Sequence, residues 1–272
     1  MRSSLQKSHA AFGKEFGMNG ITVHMMIRNE EEFIRQAIES VLPVAEEVIV
    51  FDTGSTDNTA AIVKGIKSEK IMFFEKGKSE PKRLVELRNE MISLTKTEWF
   101  MVIDGDEIIM PQAMEKILSE LEALPKNVCR VELTMRDFVK DRFLVARDRK
   151  MGKLWRTNRI VFLGTYPFEY GAVKSDQQKN LAEFSEGNLS SIVVSYHMCF
   201  FRRSSRDADV EIGRHWRKLP FPVLPFFGPW PDGMPGKSNV LFALMKLPFY
   251  NCVAFYQKFF HRKEQTKNAK AI

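Results

Sequence analysis

Residues 99–111 read WFMVIDGDEIIMP, an apolar run that ends in a cluster of acids. These acids are Asp104, Asp106 and Glu107. Like charges at such short spacing repel one another and resist burial, so they need a compensating partner. The apolar run itself predicts a buried β-strand over residues 99–104.

Three similar apolar runs precede this one: ITVHMMI (21–27), EVIVFD (47–52) and IMFFEK (71–76). The segments that follow the runs carry apolar residues at i, i+3, i+4 spacing, which predicts amphipathic helices. Asn29 and Glu32 are placed to cap the first of these helices. Strands that are apolar on both faces and alternate with helices predict an α/β domain, with a mostly parallel central sheet and helices on both faces.

The second half of the chain changes character. Its strand-like runs, VCRVELTM, RFLVAR, RIVFLG and SSIVVSYHMCFF, are joined by polar loops, which predicts a mixed or antiparallel sheet. Near the C-terminus, Lys246 and Pro248 interrupt the apolar segment 239–263, so we expect two short pieces there.

Composition limits the class of protein. With 272 residues and 44% apolar residues, the chain suits one large domain, or a domain with a subdomain, and is not a disordered chain. Its three cysteines are too few and too widely spaced for a disulfide framework or a cysteine-based zinc site. That favours a reducing compartment, with the cytoplasm as the default. The first 20 residues lack the continuous apolar core of a secretory signal, and we expect them to be a loose extension.

Positive charge is concentrated at the C-terminal end. From Lys237 onward seven Lys or Arg residues face one acid, Glu264, so +6 of the net charge of +7 lies in residues 237–272. Nucleic acid and an anionic membrane are both candidate partners for such a tail. No stretch of about 18 apolar residues is free of charge or proline, so lying on a membrane fits better than crossing it. The alternative is two ordinary helices packed on the core, followed by a frayed basic end.

The acids after the apolar runs form a candidate hard-cation site. In Asp104-Gly105-Asp106 the carboxylate oxygens suit Mg²⁺ or Mn²⁺, and the glycine lets the backbone approach closely. The alternative is a surface turn that caps the next helix. Asp52, at the end of the second run, either caps its own turn or accepts hydrogen bonds from a ribose or a base edge. Both turns follow the carboxyl ends of predicted strands, where ligands bind in open α/β sheets.

Four segments together resemble the family 2 glycosyltransferases, nucleotide-sugar enzymes with the GT-A fold. They are IRNEEEFIRQAIESV (27–41), EEVIVFDTGSTDNT (46–59), LRNEMI (87–92) and EWFMVIDGDE (98–107). The resemblance covers about residues 20–125 and is closest to small, non-processive bacterial enzymes that decorate lipopolysaccharide cores and related cell-envelope glycans. The Q-x-x-R-W signature of processive synthases is absent, so we expect one sugar to be transferred per encounter.

The resemblance implies roles for particular residues. It assigns to the nucleotide-sugar site Asn29, Glu30, Asp52, Arg88 and Asp104. It assigns Asp104 and Asp106 to the metal, Mn²⁺ or Mg²⁺. For Arg88, which would lie near the base or the phosphates, the alternative is a surface ion pair on its own helix. Thr53, directly after Asp52, departs from the family pattern, in which this position is often another small polar or acidic residue. The nucleotide base that the site selects is therefore left open.

Two later residues complete the predicted site. Residues 153–171 are similar to the segment where relatives carry an Arg-rich strand and then a His-Glu pair, whose glutamate is the proposed general base. This chain has Pro167-Phe168-Glu169, so only Glu169 carries over as the catalytic residue, and the alternative is a plain surface glutamate. Relatives also place a histidine late in the domain as a metal ligand, which implies His197; the alternative is a packed core histidine.

These inferences predict an inverting, metal-dependent transferase that moves a sugar from a nucleoside diphosphate donor, by preference UDP-linked, to a hydroxyl of a glycan or lipid-linked acceptor. The predicted parts are a loose extension (1–20), a nucleotide-sugar-binding half (21–125), an acceptor and catalytic half (126–220), and a proline-rich loop with a basic, helical C-terminal tail (221–272). The competing function is a non-catalytic α/β domain whose basic tail binds an anionic membrane or nucleic acid. Because the chain lacks a recognisable nucleic-acid-binding motif, we expect no nucleic acid as a partner. We also expect a cytoplasmic location, and peripheral contact with the inner face of the membrane through residues 237–272.

Overall fold

The structure is a computed structural model that describes residues 20–121, 123–139, 141–165, 170–173, 176–180, 186–201, 204–205, 222–228, 230 and 240–259. The strands are β1 (Ile21–Ile27), β2 (Ala45–Asp52), β3 (Ile71–Glu75), β4 (Trp99–Val102), β5 (Glu107–Ile109), β6 (Arg130–Phe138), β7 (Leu144–Arg156), β8 (Ile160–Leu163), β9 (Tyr170–Val173), β10 (Asp176–Asn180), β11 (Glu186–His197) and β12 (Leu224–Pro225). The helices are α1 (Ile34–Val41), α2 (Thr59–Lys64), α3 (Pro81–Leu94), α4 (Pro111–Leu121) and α5 (Val240–Phe259).

One large sheet organises these elements. Its strands follow the order β3-β2-β1-β4-β7-β6-β11-β5, and β12 pairs with β7. The first four strands of this order are parallel to one another. Strand β7 is antiparallel to both β4 and β6, so it joins the parallel half to a mixed half. Strands β8, β9 and β10 form a separate antiparallel sheet.

Helices cover both faces of the parallel half. On one face Val48 and Val50 of β2 belong to the cluster that includes the buried residues of α1 and α4. On the other face Ile49 and Phe51 pack with α3. Successive side chains of a strand point to opposite faces, so a strand between two helical layers is apolar throughout. The predicted α/β architecture is confirmed.

The entry into α1 differs from the sequence prediction. The helix begins at Ile34, after a turn in which Phe33 and Ile34 both donate backbone hydrogen bonds to the Glu30 carbonyl. Asn29 lies five positions earlier with a φ of 54°, in the left-handed region, and its side chain accepts a hydrogen bond from the Thr56 backbone. The prediction that Asn29 caps this helix is therefore wrong, because a tertiary contact uses its side chain. Strand β4 also ends earlier than predicted, at Val102, because the chain turns into β5.

The C-terminal apolar segment forms one helix, α5, which continues through Pro248. The prediction of two separate pieces is wrong. Ala243, Leu247 and Tyr250 lie on either side of the proline and all pack on a cluster that includes residues of β7, and this tertiary packing outweighs the local cost of the proline. In the described part of the chain, no helix combines the length and the apolar character needed to cross a membrane.

Candidate active site

The turn after β4 is fixed in place by the end of β11. Strand β5 runs antiparallel to β11, and their register places Glu107 opposite His197. The Met198 backbone donates a hydrogen bond to the Asp106 carbonyl (2.9 Å), which ties the middle of the turn to the same strand end. A Cβ added at Gly105 would lie 2.6 Å from Cγ of Glu30, so only glycine allows this close approach. Residues that are far apart in the sequence thus lie together in one compact site.

The three acids of the turn are compensated in three different ways. Glu107 is buried and accepts two hydrogen bonds from Nζ of Lys153, at 2.7 and 2.8 Å. Asp106 is also buried, and its Oδ1 lies 3.6 Å from Nε2 of His197. The Asp104 side chain is 49% exposed and lies 4.0 Å from Lys153. Much of the compensation that the acids require is therefore supplied by the chain itself.

His197 is held by residues that the sequence did not suggest. Its Nδ1 lies 2.7 Å from Oδ1 of Asp137, on the neighbouring strand β6. Arg149, on β7, donates to the same Asp137 oxygen (3.1 Å) and lies 2.9 Å from Nδ1 of His197. An Nδ1 that donates its proton to Asp137 cannot also accept from Arg149, so the arginine acts by holding the carboxylate. This arrangement leaves Nε2 of the histidine directed at Asp106.

These contacts shift the pKa values of the charged side chains in the site. Burial alone would lower the pKa of His197, but the Asp106 charge and the hydrogen bond with Asp137 outweigh it and raise this pKa to about 10. Burial would likewise lower the pKa of Lys153, and the nearby Glu107 and Asp104 raise it instead. Burial and the charge of Asp106 act to raise the pKa of Asp104, but the charges of Lys153, Arg88 and His197 together outweigh them and lower it. The ionised form of Asp104 is thus favoured by the positive side chains around it.

Asp52 ends β2 in a turn of its own. It is buried, and its Oδ1 accepts hydrogen bonds from the backbones of Gly54 (2.8 Å) and Ser55 (2.7 Å). Asn29 braces the same turn, because its side chain accepts from Thr56 and its backbone donates to the Ser55 hydroxyl (3.0 Å). The capping alternative for Asp52 is therefore realised at Oδ1, while Oδ2 takes no part in those two bonds.

Glu30 lies between the two acid-bearing turns. Its backbone donates a hydrogen bond to the Thr59 hydroxyl (2.8 Å), at the start of α2, and its side chain packs against Gly105. Asn29 and Glu30 thus connect the turn after β2 to the turn after β4. Both residues lie close to the predicted site, and both are buried.

Arg88 lies on the α3 side of this edge of the sheet. Its guanidinium is 5.8 Å from the ring centroid of Phe162, and its charge lowers the pKa of Asp104. The adjacent Asn89 exchanges two 2.8 Å hydrogen bonds with the backbone of Phe162, on β8. The LRN segment therefore places an arginine near the acids and an asparagine that fixes the second sheet. The predicted base, Glu169, lies outside the described residues.

The donor set suits a divalent cation. Ligand atoms of Asp104, Glu107 and His197 all lie within 4.8 Å of one another, which matches the carboxylate and imidazole ligands of Mn²⁺. Asp137, His197 and Cys199 form a second group of the same compactness. The second group is buried throughout, whereas the first includes Asp104, whose side chain is 49% exposed, so the first group is more accessible to a cation.

Lys153, Asp137 and Arg149 are the site residues that sequence reasoning missed. All three are charged residues within strands, and the pairing of β6, β7 and β11 brings them to the acids. The available signal was a lysine in the apolar surroundings of KLW, at residues 153–155. A buried lysine needs an anionic partner, and the cluster of three acids was the obvious candidate.

A mostly parallel sheet with acidic turns at its carboxyl edge defines the class of open α/β domains, which bind ligands at that edge. Residues 22–207 match the model of the family described as "Glycosyl transferase family 2", and the chain belongs to this family. Its fold is the GT-A fold, as in S. aureus TarS, residues 1–349, in complex with UDP-GlcNAc. That likeness has a TM-score of 0.50 and 16% identity, and covers 71% of this chain and 62% of the other.

Curated relatives match a shorter part of the chain. A prophage-derived glycosyltransferase of Bacillus subtilis, SunS, is 31% identical over 97 residues, which are 36% of this chain and 22% of the relative. A Rickettsia typhi protein described as an uncharacterised glycosyltransferase is 32% identical over 100 residues, 37% and 32% of the two chains. A TPR repeat-containing protein of Synechococcus elongatus is 30% identical over 118 residues, 42% and 28%. The match spans less than a third of each of these relatives.

Proposed function

We propose that this chain is an inverting, metal-dependent glycosyltransferase. It would transfer a sugar from a nucleoside diphosphate donor to a hydroxyl of a glycan or lipid-linked acceptor, one sugar per encounter. Family membership over residues 22–207 supports glycosyl transfer. The complex of TarS with UDP-GlcNAc, a protein of the same fold, favours a UDP-linked donor.

The observation that carries the proposal is the convergence of the turn after β4 with the end of β11. Asp104 and Asp106 are more than 90 residues from His197 in the sequence, yet ligand atoms of Asp104 and His197 lie within 4.8 Å of each other, and Oδ1 of Asp106 lies 3.6 Å from Nε2 of His197. A surface turn that only capped a helix would have no reason to bury Asp106 against a histidine. The competing function, a non-catalytic α/β domain with a basic tail, does not explain why these side chains lie together.

The residues of the site have separate roles in this proposal. Asp52 would receive the nucleoside through Oδ2, and Arg88 would lie near the diphosphate. Asp106, Asp104 and His197 would hold Mn²⁺ or Mg²⁺, which stabilises the negative charge of the leaving diphosphate when it is bound. Asp137 orients His197 through Nδ1, the usual partnership of a carboxylate behind a metal-binding histidine.

For the acceptor side, Glu169 remains the predicted general base. It would take the proton of the acceptor hydroxyl as that oxygen attacks the anomeric carbon from the side opposite the diphosphate, which inverts the configuration. We expect Glu169→Gln to keep donor binding and to reduce turnover by roughly 10²–10⁴-fold. Unchanged turnover would exclude Glu169 as the base.

Calorimetric titration of UDP tests the donor site. The purified chain should bind UDP in Mn²⁺ or Mg²⁺ and lose this binding in EDTA. Asp106→Asn, which keeps the side-chain volume, should lose the metal-dependent part, whereas Glu39→Gln, on the exposed surface of α1, should bind as the parent does. Equal binding by Asp106→Asn and the parent would contradict the metal assignment.

Identification of the donor needs a separate measurement. Donor hydrolysis should be compared across UDP-sugars, GDP-sugars and other nucleotide sugars with each metal. The choice of nucleobase and of sugar depends on the shapes of loops rather than on the acids. A lipid-linked acceptor would be met at a membrane. The cytoplasmic location and the contact with its inner face stay predictions.

A further inference from the structure

The outward side of α5 carries large apolar residues. Leu241, Met245 and Phe249 are 65%, 70% and 65% exposed. Their four-residue spacing places them on one stripe of the helix, over about two turns, and we call these three residues the α5 outer face. Single exposed apolar residues are normal on a protein surface, but a continuous apolar stripe marks an interaction site.

The inward side of α5 is apolar as well. Ala243 is fully buried, and Leu247 and Tyr250 pack on the same cluster as Leu144 and Ala146 of β7. A helix that is apolar on both sides is normally covered on both sides. In the described part of the chain, the protein covers the inner side of α5 and leaves the outer face to solvent.

A segment attached to α5, residues 222–228, also exposes apolar side chains. Leu224 and Phe227 are 49% and 68% exposed. The loop is fastened to α5 by the side chain of Asn251, which donates to the Val223 carbonyl (3.0 Å) and accepts from the Val223 backbone N–H (2.7 Å). These two hydrogen bonds hold the loop beside the helix, so its apolar residues belong to the same region of the molecule.

Charge indicates which partner this surface fits. Residues 240–259, which form α5, include Lys246 and Lys258 and contain no acid. The sequence from 237 to 272 carries a net charge of +6. A helix that has an apolar face and whose own sequence contains basic but no acidic residues has the composition that binds the interface of an anionic bilayer.

We propose that the α5 outer face, together with Leu224 and Phe227, docks on an anionic phospholipid bilayer with the helix parallel to the membrane surface. The apolar side chains enter the boundary between headgroups and acyl chains, and the basic residues contact the lipid phosphates. This proposal reaches beyond glycosyl transfer and does not depend on it.

Vesicle flotation tests the proposal without measuring transfer. The full chain is mixed with phosphatidylcholine vesicles, with or without about a third of phosphatidylglycerol, at low and high salt. The test variant replaces Leu241, Met245 and Phe249 together by serine. The control is Tyr170→Ser, which removes an exposed aromatic residue of β9, outside this surface. Because all four positions are exposed, circular dichroism and melting should show that both variants fold.

We expect the parent and the Tyr170→Ser control to float with anionic vesicles. The triple variant should bind these vesicles at least about tenfold more weakly than the parent. Three results would overturn the proposal. One is failure of the parent to float with anionic vesicles. Another is equal flotation of the triple variant, which would mean that basic charge alone binds the lipid. The third is a parent dimer in solution that the triple variant abolishes, which would assign the α5 outer face to a second copy of the chain.

Discussion

Lys153 is the residue on which the turn of three acids most directly depends. Its side chain is 6% exposed, and its ammonium group donates two hydrogen bonds to Glu107, which is 1% exposed. Removing one partner of a buried ion pair leaves the other charge in a medium that solvates it poorly. The pair therefore stabilises the fold because both members are present, and it also keeps a positive charge beside Asp104.

We predict that Lys153→Met lowers the free energy of unfolding by about 3–5 kcal/mol, because it leaves Glu107 buried without its cation. Adding Glu107→Gln to this variant should restore a large part of the loss, since no buried charge remains. Urea denaturation of the two single variants and the double variant measures this coupling. If the losses of the single variants simply add in the double variant, the two side chains do not depend on each other as the structure indicates.

His24 gives the chain a separate sensitivity to acid. Its ring is buried, stacks on Phe100 at 4.4 Å and lies 2.6 Å from the Thr95 hydroxyl. Burial first, and then the charge of Arg88, lower the pKa of His24 to about 3. The folded chain thus holds this imidazole neutral at a pH where the unfolded chain, with a pKa near 6.5, binds a proton.

The sign of the effect follows directly. The contribution of neutral His24 is fully present above pH 6.5 and is lost as pH falls from about 6.5 towards 3, by up to about 1.4 kcal/mol per pH unit. We predict that His24→Gln, although less stable at neutral pH, loses less stability over this interval than the parent. Urea unfolding at several pH values between 7 and 4 provides the comparison, and equal slopes for both proteins would contradict it.

At the scale of the elements, the contact between Glu30 and Gly105 links the two acidic turns. A methyl group at position 105 would meet Cγ of Glu30 at 2.6 Å, a separation that side chains do not tolerate. We predict that Gly105→Ala displaces the turn after β4, lowers Mn²⁺-dependent UDP affinity at least tenfold, and leaves the sheet folded. Adding Glu30→Ala removes the clashing atoms and should recover part of the affinity lost by Gly105→Ala, with Glu30→Ala alone as the reference. UDP affinity of Gly105→Ala equal to that of the parent would contradict this contact.

The elements also show what sequence patterns can predict here. The strands of the parallel half were recognisable because burial on both faces leaves long apolar runs, as in β1 and β2. The roles proposed for Asp52, Asp104 and Asp106 rest on their positions after such runs and stay predictions. In contrast, the start of α1 was misplaced because the Asn29 side chain binds a turn 27 residues away, a contact that local pattern does not reveal.

The missed part of the site has a common physical cause. Asp137, Arg149 and Lys153 lie on strands of the mixed half, and their partners depend on the register of β6, β7 and β11. A shift of one residue in any of these strands would turn their side chains to the opposite face of the sheet. Sequence reasoning can expect a buried charge to have a partner, but it cannot select the partner without this register.

At the scale of the whole molecule, β7 joins the two halves that the sequence suggested. It pairs with β4 through residues such as Trp155, opposite Phe100, and with β6 over most of its length. Asp52 and Arg88 come from the first half, whereas His197 and Lys153 come from the second. The candidate site is therefore complete only when the sheet forms across this junction, and we propose that the halves are parts of one folding unit.

This arrangement predicts a single cooperative unfolding transition that responds to ligand. Tryptophan fluorescence, to which Trp99 on β4, Trp155 on β7, Trp216 and Trp230 contribute, should change at the same urea concentration as far-ultraviolet circular dichroism. Mn²⁺ with UDP at 100 times its dissociation constant should stabilise the parent by about 2.7 kcal/mol, and should stabilise Asp106→Asn far less. Two separate transitions, only one of them shifted by Mn²⁺ and UDP, would contradict the proposal that the two halves are parts of one folding unit.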